Sequence, residues 1–266
     1  MITNADKILF RCSSLGHIMP KEKAKVEFTD TCLTHLIDVF VSAKYKRREE
    51  IQSKYLFKGN RREEDAITIL SRKDKLFYTK NDRRLSNEFI TGECDLYIGD
   101  DIEAAEETLD TKCSWSAHTF FRSQRDLNPM YEWQGHGYMA LTGAKQHTIA
   151  YCLVNGTVEA IMAERRKLMW SMFLNESECE SNLTFIEKAK QIEINHIFDI
   201  QAFIAENPHF QFNCDIAEWH YDIPMSERVF KYIVKRDDVK IQAIYDRVVA
   251  CRQWINNNLF INDVKI

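Results

Sequence analysis

Asp110 and Lys112 stand two residues apart in EETLDTKCSW, residues 106–115. In a strand, side chains i and i+2 share a face. A carboxylate and an ammonium so placed make either a structural ion pair or part of a metal-assisted hydrolytic site. Thr111, between them, points its side chain away and offers its backbone carbonyl. Magnesium prefers hard oxygen donors, so a carboxylate, a carbonyl and waters suit it. A lysine beside such a metal orients the attacking water and balances charge on a phosphate. Acid-x-Lys triplets are common in charged proteins, so this one gains meaning from its surroundings.

Three further segments supply partners. In TGECDLYIGDD, Asp95 precedes apolar Leu96 and Tyr97, and Gly99-Asp100-Asp101 is a turn signal. A hairpin there would run this strand antiparallel to 105–114 and bring Asp95 toward Asp110. Two converging carboxylates are costly without a cation; the bland alternative is an aspartate that ends a strand. Upstream, KGNRREEDAITIL places Glu63 at the expected start of a helix, with Glu64 as its alternative. An acid there is favoured by the helix dipole alone, or it holds a metal directly or through water. Downstream, YEWQGHGYMAL carries Gln134 and Tyr138 at i and i+4, one helix face. The glutamine amide can hold a lysine or a phosphate oxygen, and the tyrosine adds a hydroxyl or a ring.

The elements that must position these residues follow from periodicity and punctuation. Helices are expected over 29–51 and 63–73, strands over 75–81, 87–101 and 105–114, then a short helix at 116–124 and a longer one from Asn128 to Gly143. Residues 146–156 read as an apolar strand. Beyond them the pattern is helical over 157–174, 183–206 and 226–257, with an irregular stretch at HFQFNCD. This order predicts an α/β sandwich core with helical extensions at both ends.

Composition narrows the class. At 266 residues the chain suits one domain with a sizeable core. No apolar run approaches a membrane span, and MITNADKILF lacks a secretory signal's apolar stretch. Eight scattered cysteines without a CxxC pair read as reduced thiols of a cytoplasmic protein. Cys214 and Cys251 lie too far apart to suggest an iron–sulfur cluster. The net charge of −4 does not advertise a nucleic-acid binder, yet Lys44, Lys46, Arg47, Arg48, Lys54, Lys58, Arg61 and Arg62 form a basic strip. It would guide a polyanion, or simply be a solvated helix face. The histidines, including His118, His136 and His220, show no ligand spacing. Trp115, Phe120 and Phe121 suit core packing better than stacking on DNA. Arg122 and Arg125 suit phosphate contact or a solvated face equally.

Taken together, an acid on a helix, an aspartate, D-x-K, then Q-x-x-x-Y on the next helix resemble the PD-(D/E)xK nuclease superfamily. The Q-x-x-x-Y element, and FRCSSLGHIM near the N-terminus, look like the RecB-like branch and its lambda-exonuclease (YqaJ-type) phage recombination nucleases. The resemblance spans about residues 8–155. It departs in two places: Cys94 stands where the motif has proline, and Asp110 where glutamate is common.

The resemblance implies a single nuclease domain with a restriction-endonuclease-like core, a small mixed sheet flanked by helices. N-terminal helices and a mostly helical extension over about 156–266 complete it. It implies Asp95, Asp110, the Thr111 carbonyl and Glu63 as ligands of Mg²⁺, with Mn²⁺ as a substitute. Lys112 would be the catalytic lysine, Gln134 and Tyr138 its supporting helix, and Arg11, Ser13 and Ser14 a pocket for a terminal 5′-phosphate. The expected activity is hydrolysis of linear double-stranded DNA from the 5′ end in phage-type recombination. A ring-forming oligomer and a single-strand-annealing partner are implied with it. A structure-specific or restriction-like endonuclease, and a non-catalytic DNA-binding module on the same fold, are the alternatives.

Overall fold

The computed structural model describes residues 4–20, 26–49 and 54–260, apart from the side chains of 54–57 and 60. In chain order its elements are β1 (Phe10–Arg11), α1 (Leu15–Ile18), α2 (Asp30–Tyr45), α3 (Lys54–Asp74), β2 (Thr79–Lys80), β3 (Leu85–Ser86), β4 (Ile90–Gly92), β5 (Leu96–Ile98) and β6 (Glu107–Cys113). They continue with α4 (Ala117–Arg122), α5 (Pro129–Thr142), β7 (Gln146–Cys152), α6 (Val158–Ser171), α7 (Glu176–Ser181), α8 (Leu183–His196), α9 (Ile200–Glu206), β8 (Val229–Lys235) and α10 (Asp238–Leu259).

The main sheet has the order β2-β5-β6-β7-β8. Only β6 and β7 run parallel, with Asp110 opposite Ile149 and Lys112 opposite Tyr151. A parallel pair needs a crossover, and α4 and α5 supply it. The α3 face buries Ala66, Ile69 and Leu70 against Leu96, Leu109, Ala150 and Cys152. The other face packs Met139 of α5 with Ile149 and Tyr151. Strand alternation therefore turns Asp110 and Lys112 toward α5. The result is the mixed α/β sandwich expected, with helices on both faces of the sheet.

Local chemistry explains the ends of these elements. Thr29 caps α2 by accepting from Cys32 N at 3.3 Å, and Asn128 caps α5 ahead of Pro129. Gly143 ends α5 at φ 80°, a conformation glycine adopts without strain. A second sheet, β1-β4-β3, lies at the N-terminal side.

Several elements differ from the sequence reading. The helix expected to reach Ile51 stops at Tyr45, where Lys46 takes φ 58°; residues 50 and 51 lie outside those described. The helix carrying Glu63 is already formed at Lys54, so Glu63 lies in its interior and gains nothing from the first-turn dipole. The strand expected over 87–101 divides into β4 and β5, which belong to different sheets, and of 75–81 only Thr79–Lys80 pairs. The helix expected over 183–206 breaks at Ile197, between α8 and α9. The largest difference is at 226–257. Its first part is β8, paired with β7 along seven residues, so the core sheet extends well beyond residue 155. α10 then returns to the N-terminal segment, where Ile244, Val248, Cys251 and Ile255 pack with Leu15, Leu36 and Phe40.

The basic strip does not form one face. Lys44 covers the rings of Phe40 and Phe260, while Lys58 and Arg62 are buried. The Lys54 side chain lies outside the described residues.

Candidate active site

Asp110 is the centre of the site and is only 2% exposed. Its Oδ2 accepts from Lys112 Nζ at 2.8 Å and from Gln134 Nε2 at 2.6 Å. Gln134 Nε2 also donates to the Tyr138 hydroxyl at 2.8 Å. The i, i+4 spacing on α5 thus serves one purpose: Tyr138 orients the amide, and the amide holds the carboxylate.

Asp95 sits just before β5, which pairs antiparallel with β6 through Leu96 and Leu109. That pairing delivers Asp95 to the edge of β6. Its Oδ2 accepts from Thr111 N at 2.7 Å and Thr111 Oγ1 at 2.8 Å, and its own N–H donates to Asp110 Oδ1 at 3.4 Å. The Thr111 N–H points to the Asp95 edge. In an extended strand the carbonyl of the same residue leaves by that edge too.

Burial, reinforced by the charge of Asp110, pushes the Asp95 carboxyl up to about 7. Burial works against the charge on Lys112, but Asp110 and Asp95 outweigh it and hold the ammonium above its ordinary value. The Lys112 Nζ also lies 4.8 Å from the centre of the Tyr131 ring, a cation–π contact. Tyr131, one turn before Gln134, was not singled out from the sequence. The i−3 spacing to Gln134 was the available signal.

The donor set fits a hard divalent cation. Asp95 Oδ1 accepts no hydrogen bond among the described residues, and Asp110 Oδ1 receives only the long one from Asp95 N. Two adjacent carboxylates face one lysine, an imbalance that a cation relieves. Among the described residues no group of three or more His, Cys, Asp and Glu converges. Magnesium bound by one or two carboxylates, a carbonyl, water and phosphate oxygens needs no third acid.

Glu63 stands apart from this cluster. It is ion-paired with Lys80 at 3.1 Å, and Lys80 also pairs with Glu64. α3 instead contributes Lys58, whose buried Nζ donates to the Ser114 carbonyl at 2.7 Å and fastens the end of β6. Burial lowers this lysine to about 7. The sequence reading placed it only in the basic strip.

The N-terminal segment lies close by. Cys12 packs against the helix that carries Gln134: a Cβ at Gly137 would lie 2.7 Å from Leu15 Cδ1 and 2.9 Å from Cys12 Sγ. A Cβ at Gly92 would lie 2.6 Å from Cys12 Sγ. Burial first, then the charge of Asp110, raises the Cys12 thiol, which puts this turn within electrostatic range of the site. Arg11 and Ser13, on either side of Cys12, are exposed, and Ser14 Oγ donates to the Arg11 carbonyl at 3.0 Å. Arg122 ends α4 and Arg125 lies just beyond it; both are exposed.

No family model matches the chain, and no curated protein matches its sequence. Solved structures do match. A phage-related exonuclease from Haemophilus somnus 129PT is 26% identical with a TM-score of 0.66, over 94% of this chain and 95% of that one. An alkaline exonuclease from Laribacter hongkongensis is 12% identical with a TM-score of 0.57, over 95% of this chain and 90% of its own. The same enzyme in complex with dAMP gives 13% and 0.56 over the same shares. The chain has the lambda-exonuclease-type fold of the PD-(D/E)xK nucleases. Its likeness to exonucleases over nearly its whole length supports a nuclease function.

Proposed function

We propose that this chain is a magnesium-dependent deoxyribonuclease that degrades linear double-stranded DNA from its ends, in the 5′-to-3′ direction. The observation that carries the reading is the Asp95–Asp110–Lys112 cluster, with two carboxylates, one ammonium and a glutamine locking the central acid.

Asp95, Asp110 and the Thr111 carbonyl would hold Mg²⁺, with Mn²⁺ as a substitute. When bound, the ion supplies Lewis-acid polarisation of the scissile phosphate. Lys112, held charged by the two aspartates, orients the attacking water and offsets the charge that builds on the phosphoryl oxygens. The water oxygen bonds to phosphorus as the bond to the 3′-oxygen breaks, leaving a 3′-hydroxyl and a 5′-phosphate. Gln134 and Tyr138 keep the Asp110 carboxylate from rotating. Glu63, half-buried and paired with Lys80, would act at most through water. Arg11, Ser13 and Ser14 would receive a terminal 5′-phosphate beside the site. Arg122 and Arg125 would meet the DNA backbone. The proposal extends to phage-type recombination, with a single-strand-annealing partner and a ring-shaped homo-oligomer. Among the described residues no helix is long and apolar enough to cross a membrane.

The test uses linear duplex DNA, 5′-phosphorylated and labelled at one end, with a closed circle alongside, in Mg²⁺, in EDTA, and with Lys112→Ala. Loss of the linear DNA alone, requiring both Mg²⁺ and Lys112, supports the exonuclease, and the order of label release gives its polarity. Cutting of the circle turns the reading to an endonuclease. Inertness of well-folded protein on both DNAs removes the catalytic reading.

A further inference from the structure

An apolar cluster links the ring beside Lys112 to a groove on α4. Tyr131, whose ring lies against the Lys112 ammonium, belongs to one apolar cluster with Ala117 and Phe120. Ala117 opens α4, and an open groove there is lined by Ala117, His118, Phe121, Arg122 and Arg125. Two consecutive phenylalanines of α4 have opposite environments. Phe120 is fully buried, its ring centroid 5.1 Å from that of Phe230, while Phe121 stands 47% exposed.

The groove is built on a fixed frame. Ser116 and Thr119 cap α4 reciprocally, Ser123 Oγ donates to the Thr119 carbonyl at 2.8 Å, and the Tyr232 hydroxyl donates to the Ser123 carbonyl at 3.0 Å. The Arg125 N–H donates to the Arg122 carbonyl at 3.2 Å, a turn that keeps the two arginines adjacent.

At least half of the sixteen arginines of this acidic chain are already engaged. Arg62, Arg83, Arg84, Arg165, Arg228 and Arg236 pair with carboxylates, and Arg247 and Arg252 bond backbone carbonyls. Among the described residues no carboxylate lies within ion-pair distance of Arg122 or Arg125. An exposed ring flanked by two unengaged guanidinium groups suits a polyanion with flat apolar faces. A duplex keeps its base faces inside the stack, so the ligand is an unpaired strand.

We propose that the α4 groove is a subsite for single-stranded DNA, with Phe121 stacking on one base and Arg122 and Arg125 holding the flanking phosphates. The subsite rests on the nuclease reading in one respect: it would take an unpaired strand freed at a duplex end under attack.

The test is a twelve-nucleotide oligothymidylate carrying one 2-aminopurine at successive positions, added to the full chain in EDTA. Stacking predicts strong quenching at one position, retained in Phe121→Trp and lost in Phe121→Leu. Affinity for the strand should fall by about 5- to 100-fold in Phe121→Leu, the usual worth of one stacked base. In the Arg122→Gln, Arg125→Gln double variant, the slope of log affinity against log salt should shrink by roughly 1.4, two single-strand phosphate contacts. Because Phe121 is exposed, its replacement leaves the fold intact, which circular dichroism verifies. No quenched position, quenching that survives Phe121→Leu, or no binding of the oligonucleotide overturns the subsite, even with duplex hydrolysis intact. Failure of duplex hydrolysis with quenching intact would instead overturn the nuclease reading alone.

Discussion

Two regions of the molecule bury a carboxylate, and they solve the problem differently. In the helical part, Glu193 is completely buried. It pairs with Arg165 and accepts from Asn213 N at 2.9 Å, Asn213 Nδ2 at 2.7 Å and Cys214 Sγ at 3.5 Å. One charge meets one charge, and every remaining bond is a neutral donor. At Asp110 two carboxylates share one lysine, and among the described residues Asp95 keeps an oxygen without a partner. The first arrangement is finished as folded. The second is complete only with something cationic added, and that contrast separates a structural charge from one suited to chemistry.

The comparison can be broken at its strongest point by substituting each centre in turn. Lys112→Ala or Asp110→Asn should lower kcat for linear DNA by about 10³-fold or more, as expected when charge stabilisation at the reacting phosphate is removed. Their far-ultraviolet circular dichroism should stay native. Glu193→Gln should do the reverse: a loss of about 3 kcal/mol in denaturant unfolding, because Arg165 loses its charge partner, with kcat per folded molecule unchanged. A collapse of kcat in Glu193→Gln with the fold intact would erase the distinction.

The pH response sharpens it further. Asp95 titrates at about 7 in the folded protein against an ordinary 3.8. Between those values the native state holds a proton that the unfolded chain has released, so stability falls as pH rises through the window. Metal-free protein should therefore melt at a lower temperature at pH 8 than at pH 5, by roughly 5 °C. Asp95→Asn should flatten that slope. The smallest effect concerns Tyr131: Tyr131→Leu should reduce kcat by about 2- to 30-fold, and Tyr131→Phe, which keeps a ring against Lys112, should retain most of it.

The sequence made the site more legible than its frame. Asp110 and Lys112 lie on one strand because alternation admits no other placement, and the turn at Gly99 to Asp101 forced β5 back along β6. Gln134 and Tyr138 stand on a helix whose Asn128-Pro129 start and Gly143 stop are both written locally. β8 was hidden because VFKYIVK runs directly into the helical spacing of α10, although its β-branched and aromatic residues carried a strand signal. That α3 is already helical from Lys54 was hidden too, because the apolar residues of 54–62 stand consecutively at Tyr55, Leu56 and Phe57 and show no helical period, and this misplaced Glu63 within its helix. The split of 87–101 into two sheets depends on which strands lie alongside, which no local pattern records. Likewise, nothing local in HTFFR tells which phenylalanine faces solvent; the packing of Phe120 on Phe230 decides it.

The most direct test of the central claim is a titration with Mn²⁺ at pH 8, following the free ion by electron paramagnetic resonance. The wild-type chain should take up the ion, Asp95→Asn and Asp110→Asn should lose most of that uptake, and Glu193→Gln, if folded, should retain it. No uptake by the wild type, or equal uptake by the aspartate variants, would contradict the assignment of Asp95 and Asp110 as the metal-holding pair.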